Sequence, residues 1–228
     1  MFIERATDKE IPKGAIRLTS EEVYEYMIDL IHKWPSSTEI WALKHGNPIL
    51  ACAVVVSSSV ILNFYRRQLK LKNYGRFTLF LPVVLTPSIL NQMYQTTKTT
   101  KSILLQKDCS TCITTQSMFI QLGTGIIYPM LGAIAGTYMF GTKMNTFILS
   151  SNGPAIINEF ALHLMKTSRP LYNRLTGFVI GHVLLSFAIS YYQMENLDFL
   201  RFKMMQQQNE DIENLKQSKR INKLPHSN

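Results

Sequence analysis

The chain is poor in charge. Asp, Glu, Lys and Arg make up 17% of its 228 residues, against about 25% in an ordinary globular protein. Three cysteines are too few for a disulfide-built secreted scaffold. The sequence has no HExxH, no nucleophile elbow, no Asn-x-Ser/Thr acceptor and no carboxylate pair outside its polar ends. No period of 20–50 residues repeats and no low-complexity run occurs. The first 34 residues lack the apolar core of a secretory signal. Eight acidic residues in the first 39 also disfavour a cleaved, Arg-rich mitochondrial presequence, so any such targeting is expected to use internal signals. These gaps argue against hydrolases, metalloenzymes and secreted modules. No enzyme activity, cofactor or metal is expected.

The missing charge is concentrated in long runs. Four stretches of membrane-spanning length contain no Asp, Glu, Lys or Arg, and a helix needs about 20 apolar residues to cross the hydrocarbon core. A helix packed on a soluble core keeps one polar face, so it rarely stays uncharged that long. The expected spans are 47–65, 77–97, 113–140 and 175–194. The fold class is therefore all-α: a polytopic membrane protein with four transmembrane helices, an N-terminal amphipathic helix and a polar helical tail. The domain reading is 1–45 polar, 46–194 transmembrane and 195–228 tail.

Net charge is +9. The basic residues lie between the apolar runs and form no aromatic-interleaved stripe, which excludes nucleic acid as the expected partner. Arg66, Arg67 and Arg169 read as membrane-boundary residues beside the lipid bilayer. Four spans place both termini and the 98–112 linker on one face. A weak excess of Lys and Arg in the 66–76 and 143–174 linkers leans those toward the matrix or cytoplasm.

Local signals refine this outline. Residues 1–18 read as a mobile lead. Thr19 and Glu22 have capping-box spacing, so an amphipathic helix is expected over 20–34, ended by Pro35. Ser36 and Glu39 have the same spacing and suggest a second short helix running to Leu43. Pro82 and Pro87 should kink the second span. An amphipathic surface helix is expected within 143–174, and the tail should fray beyond Lys216.

Cys109 and Cys112 stand at redox spacing. A structural zinc site needs two more ligands, and none is spaced to supply them. A structural thiol pair and a disulfide or redox pair both remain open. Gly132 and Gly136 let helices approach closely, either inside this bundle or against another protein. Ala53 and Ser57 share that spacing. His182 lies deep in the fourth span; a hydrogen-bonded packing role is favoured over proton or metal chemistry, with Ser186 one turn away. Gly136 to Lys143 misses the phosphate-loop pattern because Lys does not follow the second glycine. The uncharged spans also disfavour a small-solute carrier.

Several motifs together resemble the transmembrane protein 126 family. They are Asn63-Phe-Tyr-Arg-Arg-Gln-Leu69, Asp108-Cys-Ser-Thr-Cys-Ile-Thr114, Gly125-Ile-Ile-Tyr-Pro129 and Thr167-Ser-Arg-Pro-Leu-Tyr172, in that order. The resemblance covers about residues 45–192. It implies a multi-pass protein of the mitochondrial inner membrane that assists assembly of respiratory complex I. It further implies a non-catalytic scaffold whose partners are membrane-arm subunits and other assembly factors. Gly125, Tyr128, Pro129, Gly132 and Gly136 are then expected as helix-packing or interaction residues. The alternative is a membrane thiol-disulfide oxidoreductase using Cys109 and Cys112.

Overall fold

The computed structural model describes residues 18–71, 75–106, 108–144 and 169–221. Every regular element among them is helical. We number the helices α1 (Ser20–Lys33), α2 (Trp41–Gln68), α3 (Arg76–Leu105), α4 (Ser110–Lys143) and α5 (Tyr172–Ile221). A short 3-10 turn, Arg169–Leu171, leads into α5. Helices α2 to α5 run up, down, up and down as an antiparallel bundle. Each is long and apolar enough to cross a membrane.

α1 starts as its capping residues dictate. The Thr19 hydroxyl accepts the Glu22 N–H at 3.3 Å, and the Thr19 N–H donates to the Glu22 carboxylate at 2.7 Å. These bonds hold the exposed Glu22 carboxyl below the usual carboxylate range. The second expected box does not form. Glu39 accepts the Trp34 indole N–H instead, and Ser36 pairs with Thr38. Residues 37–40 form turns, and the next helix begins at Trp41 and continues unbroken through Pro48. The boundary expected at 45/46 therefore falls inside a helix. The 98–112 linker also shrinks, because α3 carries Lys98 and Lys101 and ends only at Leu105. The expected surface helix falls mostly on residues outside the described ones, as does the lead before Leu18.

Proline is absorbed by widened turns. Pro82 and Pro87 lie in or beside a π-helical stretch, Leu81–Leu85, where the Thr86 N–H reaches the Leu81 carbonyl five residues back. A second stretch spans Gln95–Thr100, and a third, Gly123–Ile127, precedes Pro129. Such bulges re-aim the following turn and re-pair backbone groups that proline leaves open.

Charged residues mark the membrane planes. Lys44 to Arg66, Arg76 to Lys98 and Arg174 to Glu195 each span about 33 Å of helix, close to the ~30 Å hydrocarbon thickness. Beyond the plane of Lys44, Lys98 and Glu195 the bundle continues as a small head. Ile40, Leu43, Ile103, Leu104, Ile113, Leu197 and Leu200 are buried there, roofed by Met27 and Ile31 of α1. Lys101 fixes the roof through Glu21 at 2.6 Å. The expected polar tail thus begins as part of a packed core, and α5 stays helical to Ile221.

The two ends differ in charge. The end built from 66–76, 141–144 and 169–174 carries Arg66, Arg67, Lys70, Arg76, Lys143, Arg169 and Arg174, with no acidic residue among the described ones. All described acidic residues lie in the head or in α5 beyond it. Basic ends stay on the cytoplasmic or matrix side. Cysteines placed at Lys33 and Gln208, in a Cys52→Ser background, should react with an impermeant maleimide from one face, and one at Lys70 from the other, matrix or cytoplasmic, face. Labelling of all three from one side would contradict the four-span topology.

Candidate functional site: a buried polar seam and an exposed disulfide

Polar side chains in lipid must find partners inside the protein. Here they do so in three tiers along the bundle axis. The deepest tier centres on His182, which is 4% exposed. The Gln121 amide donates to His182 Nδ1 at 3.0 Å and to the Leu50 carbonyl at 3.1 Å. Because Nδ1 accepts, the ring carries its proton on Nε2. That N–H donates to Ser57 Oγ at 3.0 Å, and Ser57 donates to the Gly125 carbonyl at 2.8 Å. Pro129 explains the last bond. Lacking an N–H, it cannot serve the carbonyl four residues earlier, and Ser57 takes that place. Asn91 closes the tier, donating to Gln121 Oε1 at 2.6 Å and to Thr124 at 2.8 Å.

The middle tier joins Gln95, Ser117 and Ser186. Ser117 donates to Gln95 Oε1 at 3.1 Å, Gln95 returns a bond to the Ser117 carbonyl at 3.2 Å, and Ser186 sits 2.7 Å from Ser117. Ser186 therefore serves Ser117 and not its neighbour His182. The outer tier joins Gln193 to Asn47 and the Ala42 carbonyl at 3.0 and 3.2 Å, and Asn47 to Thr100 at 2.8 Å. Asn196 accepts the Ala42 N–H at 3.0 Å. Gln95, Gln121 and Gln193 are almost completely buried. Every group in the seam is neutral in this bonding pattern, so it ties helices together without a charge to translocate. None of Asn47, Asn91, Gln95, Gln121 and Gln193 was singled out from sequence. Their signal was an amide in an otherwise apolar run.

Glycine positions follow from this packing. A Cβ on Gly125 would stand 2.8 Å from the His182 ring. One on Gly132 would meet Val83 at 3.3 Å, and one on Gly136 would collide with Leu79. The Gly132/Gly136 face is therefore filled by α3 of the same chain, which is the internal-packing alternative. Pro129 is buried, and Tyr128 is exposed toward lipid. Arg67 and Arg169 are exposed at the basic end, whereas Arg66 is buried there. Tyr192 packs on Trp41 with ring centroids 5.6 Å apart, near the head-side membrane plane.

Cys109 and Cys112 form a disulfide. Cys109 is the N-cap of α4, and its sulfur accepts the Cys112 N–H at 3.2 Å. Both residues are exposed. The pair shares no residue with the seam and lies one to two turns of α4 outward from Ser117. Among the described residues no cluster of His, Cys, Asp or Glu could hold a metal.

The family model "Transmembrane protein 126" matches residues 22–209, from the α1 capping turn into the projecting part of α5. The chain belongs to the transmembrane protein 126 family. A relative named transmembrane protein 126, from Drosophila melanogaster, is 30% identical over 185 residues, covering 79% of this chain and 81% of that one. No solved structure matches the chain. The match takes in the seam, the disulfide and the head together. A family name carries no reaction, so the oxidoreductase alternative rests on the cysteine pair alone.

The seam predicts its own sensitivity. Gln121→Leu removes the donor to His182, the donor to Leu50 and the acceptor of Asn91. Soluble-core values of about 1–3 kcal/mol per orphaned group fall to roughly 0.6 on average in membranes, so a loss of about 2 kcal/mol is expected. Gly125→Ala should cost about 1–3 kcal/mol through overpacking against the locked imidazole. Cys52→Ser, on an exposed site, should leave stability unchanged. Unfolding midpoints in detergent micelles check all three.

Proposed function

We propose that this protein is a non-catalytic scaffold in the mitochondrial inner membrane that holds newly made membrane-arm subunits during assembly of respiratory complex I. Family membership supports the reading. The structural observation that carries it is the outward ridge of α3. Phe77, Leu81, Leu85, Ile89 and Met93 recur every fourth residue and are all exposed. An i+4 ridge is the shape that seats in the groove of another helix. The internal faces are already committed to the seam and to the glycine contacts, so partner helices must use the outer faces. Each such contact is worth about 1 kcal/mol or less. Several together hold a client, and later subunits can still displace it. The head and the α5 projection offer water-facing surfaces to other assembly factors. The exposed acidic side of α1, with Glu22 and Glu25, suits a basic partner surface.

The test is gentle-detergent purification of the tagged protein from mitochondria, with native gels and mass spectrometry. Expected is co-migration with incomplete membrane-arm assemblies and absence from the finished enzyme. Replacing Leu81 and Ile89 together by Ala should lower recovery of those subunits by about fivefold, near 1 kcal/mol in sum, with no change in the micelle unfolding midpoint. Migration alone, or equal recovery with unrelated complexes, would overturn the assignment.

A further inference from the structure

The disulfide stands beside a groove. Thr111, Cys112, Thr115, Gln116, Phe119 and Ile120 line an open depression of about 540 Å³ along one face of α4. Phe119 is 71% exposed. Gln95 and Ser117 tie α3 to α4 at one level, and the disulfide lies one to two turns farther out, past the level of Lys98. The sulfur pair is therefore at the membrane surface, and the groove runs from it toward the apolar zone.

The two sulfurs are not equivalent. Cys112 lines the groove. Cys109 is the N-cap, where a backbone N–H already points at its sulfur and the helix N-terminus favours negative charge. A thiolate in the groove meets Cys112, and the sulfur it would expel is the one best placed to leave as a thiolate.

We propose that Cys112 forms a reversible mixed disulfide with a cysteine of a client polypeptide lying in this groove, so that the Cys109–Cys112 pair acts as a covalent latch. The client thiolate attacks Cys112 Sγ. A client–Cys112 S–S bond forms, the Cys109–Cys112 bond breaks, and its electron pair leaves on Cys109 Sγ. Release is the reverse step: Cys109 thiolate attacks Cys112 Sγ and the client departs as a thiolate. One disulfide is exchanged for another, so no oxidant or reductant is consumed. The occupant is an apolar, cysteine-bearing segment at the membrane boundary, because the sulfurs lie at that level and the surface running from them to Phe119 and Ile120 is apolar. That this segment belongs to a newly made membrane subunit rests on the scaffold reading.

The full-length protein in nanodiscs is incubated with an apolar peptide carrying one cysteine, quenched in acid, alkylated with N-ethylmaleimide and mapped by mass spectrometry. Expected is the peptide on Cys112 with the alkylating group on Cys109. Phe119→Ala should slow attachment about fivefold, the loss of part of a phenyl contact, and glutathione should react more slowly than the peptide. Attachment mainly to Cys109, an unchanged rate with Phe119→Ala, or glutathione reacting as fast as the peptide would overturn the latch. The same quench applied to mitochondria should show a mixed disulfide with a client that Cys112→Ser abolishes. Absence of that band while native co-purification persists overturns the latch and leaves the scaffold reading standing. The band with no complex I subunit in it supports the latch and removes the scaffold's named client.

Discussion

The amides and hydroxyls of the seam answer to one constraint: inside a bilayer there is no water to bond to. The contact around His182 shows how much follows from it. Pro129 has no N–H to offer the Gly125 carbonyl. Ser57 crosses from α2 to supply the hydrogen, His182 supplies one to Ser57, and Gln121 supplies one to His182. Four helices are joined when Asn91 is added. The close approach this needs leaves no room for a side chain on Gly125. A proline that would break a soluble helix here creates the acceptor around which its neighbours are positioned.

Much of the architecture was legible in the sequence. Uncharged run lengths located the four spans, because the cost of burying charge in lipid is large and local. The Thr19/Glu22 box was legible for the same reason: both partners lie three residues apart. Ser36/Glu39 had identical spacing and failed, because the Trp34 indole competes for Glu39. Spacing shows what a pair can do, and its neighbours decide whether it does.

The seam was not legible. An asparagine or glutamine in an apolar run announces that a partner must exist, but that partner sits up to 151 residues away in the chain. Gly132 and Gly136 raised the matching question of whose helix they would meet, and Leu79 and Val83 answer it. The Cys109–Cys112 spacing left several chemistries open. The N-cap position of Cys109 now makes the pair asymmetric, a property of the turn and not of the motif.

α5 joins membrane and water without interruption. It runs 50 residues from Tyr172 to Ile221, about 75 Å of helix. Asn196 and Leu200 clamp it at the head, and the stretch beyond them rises roughly 30 Å farther. Such a rod works as a ruler: anything that meets its tip does so at a set height above the bilayer.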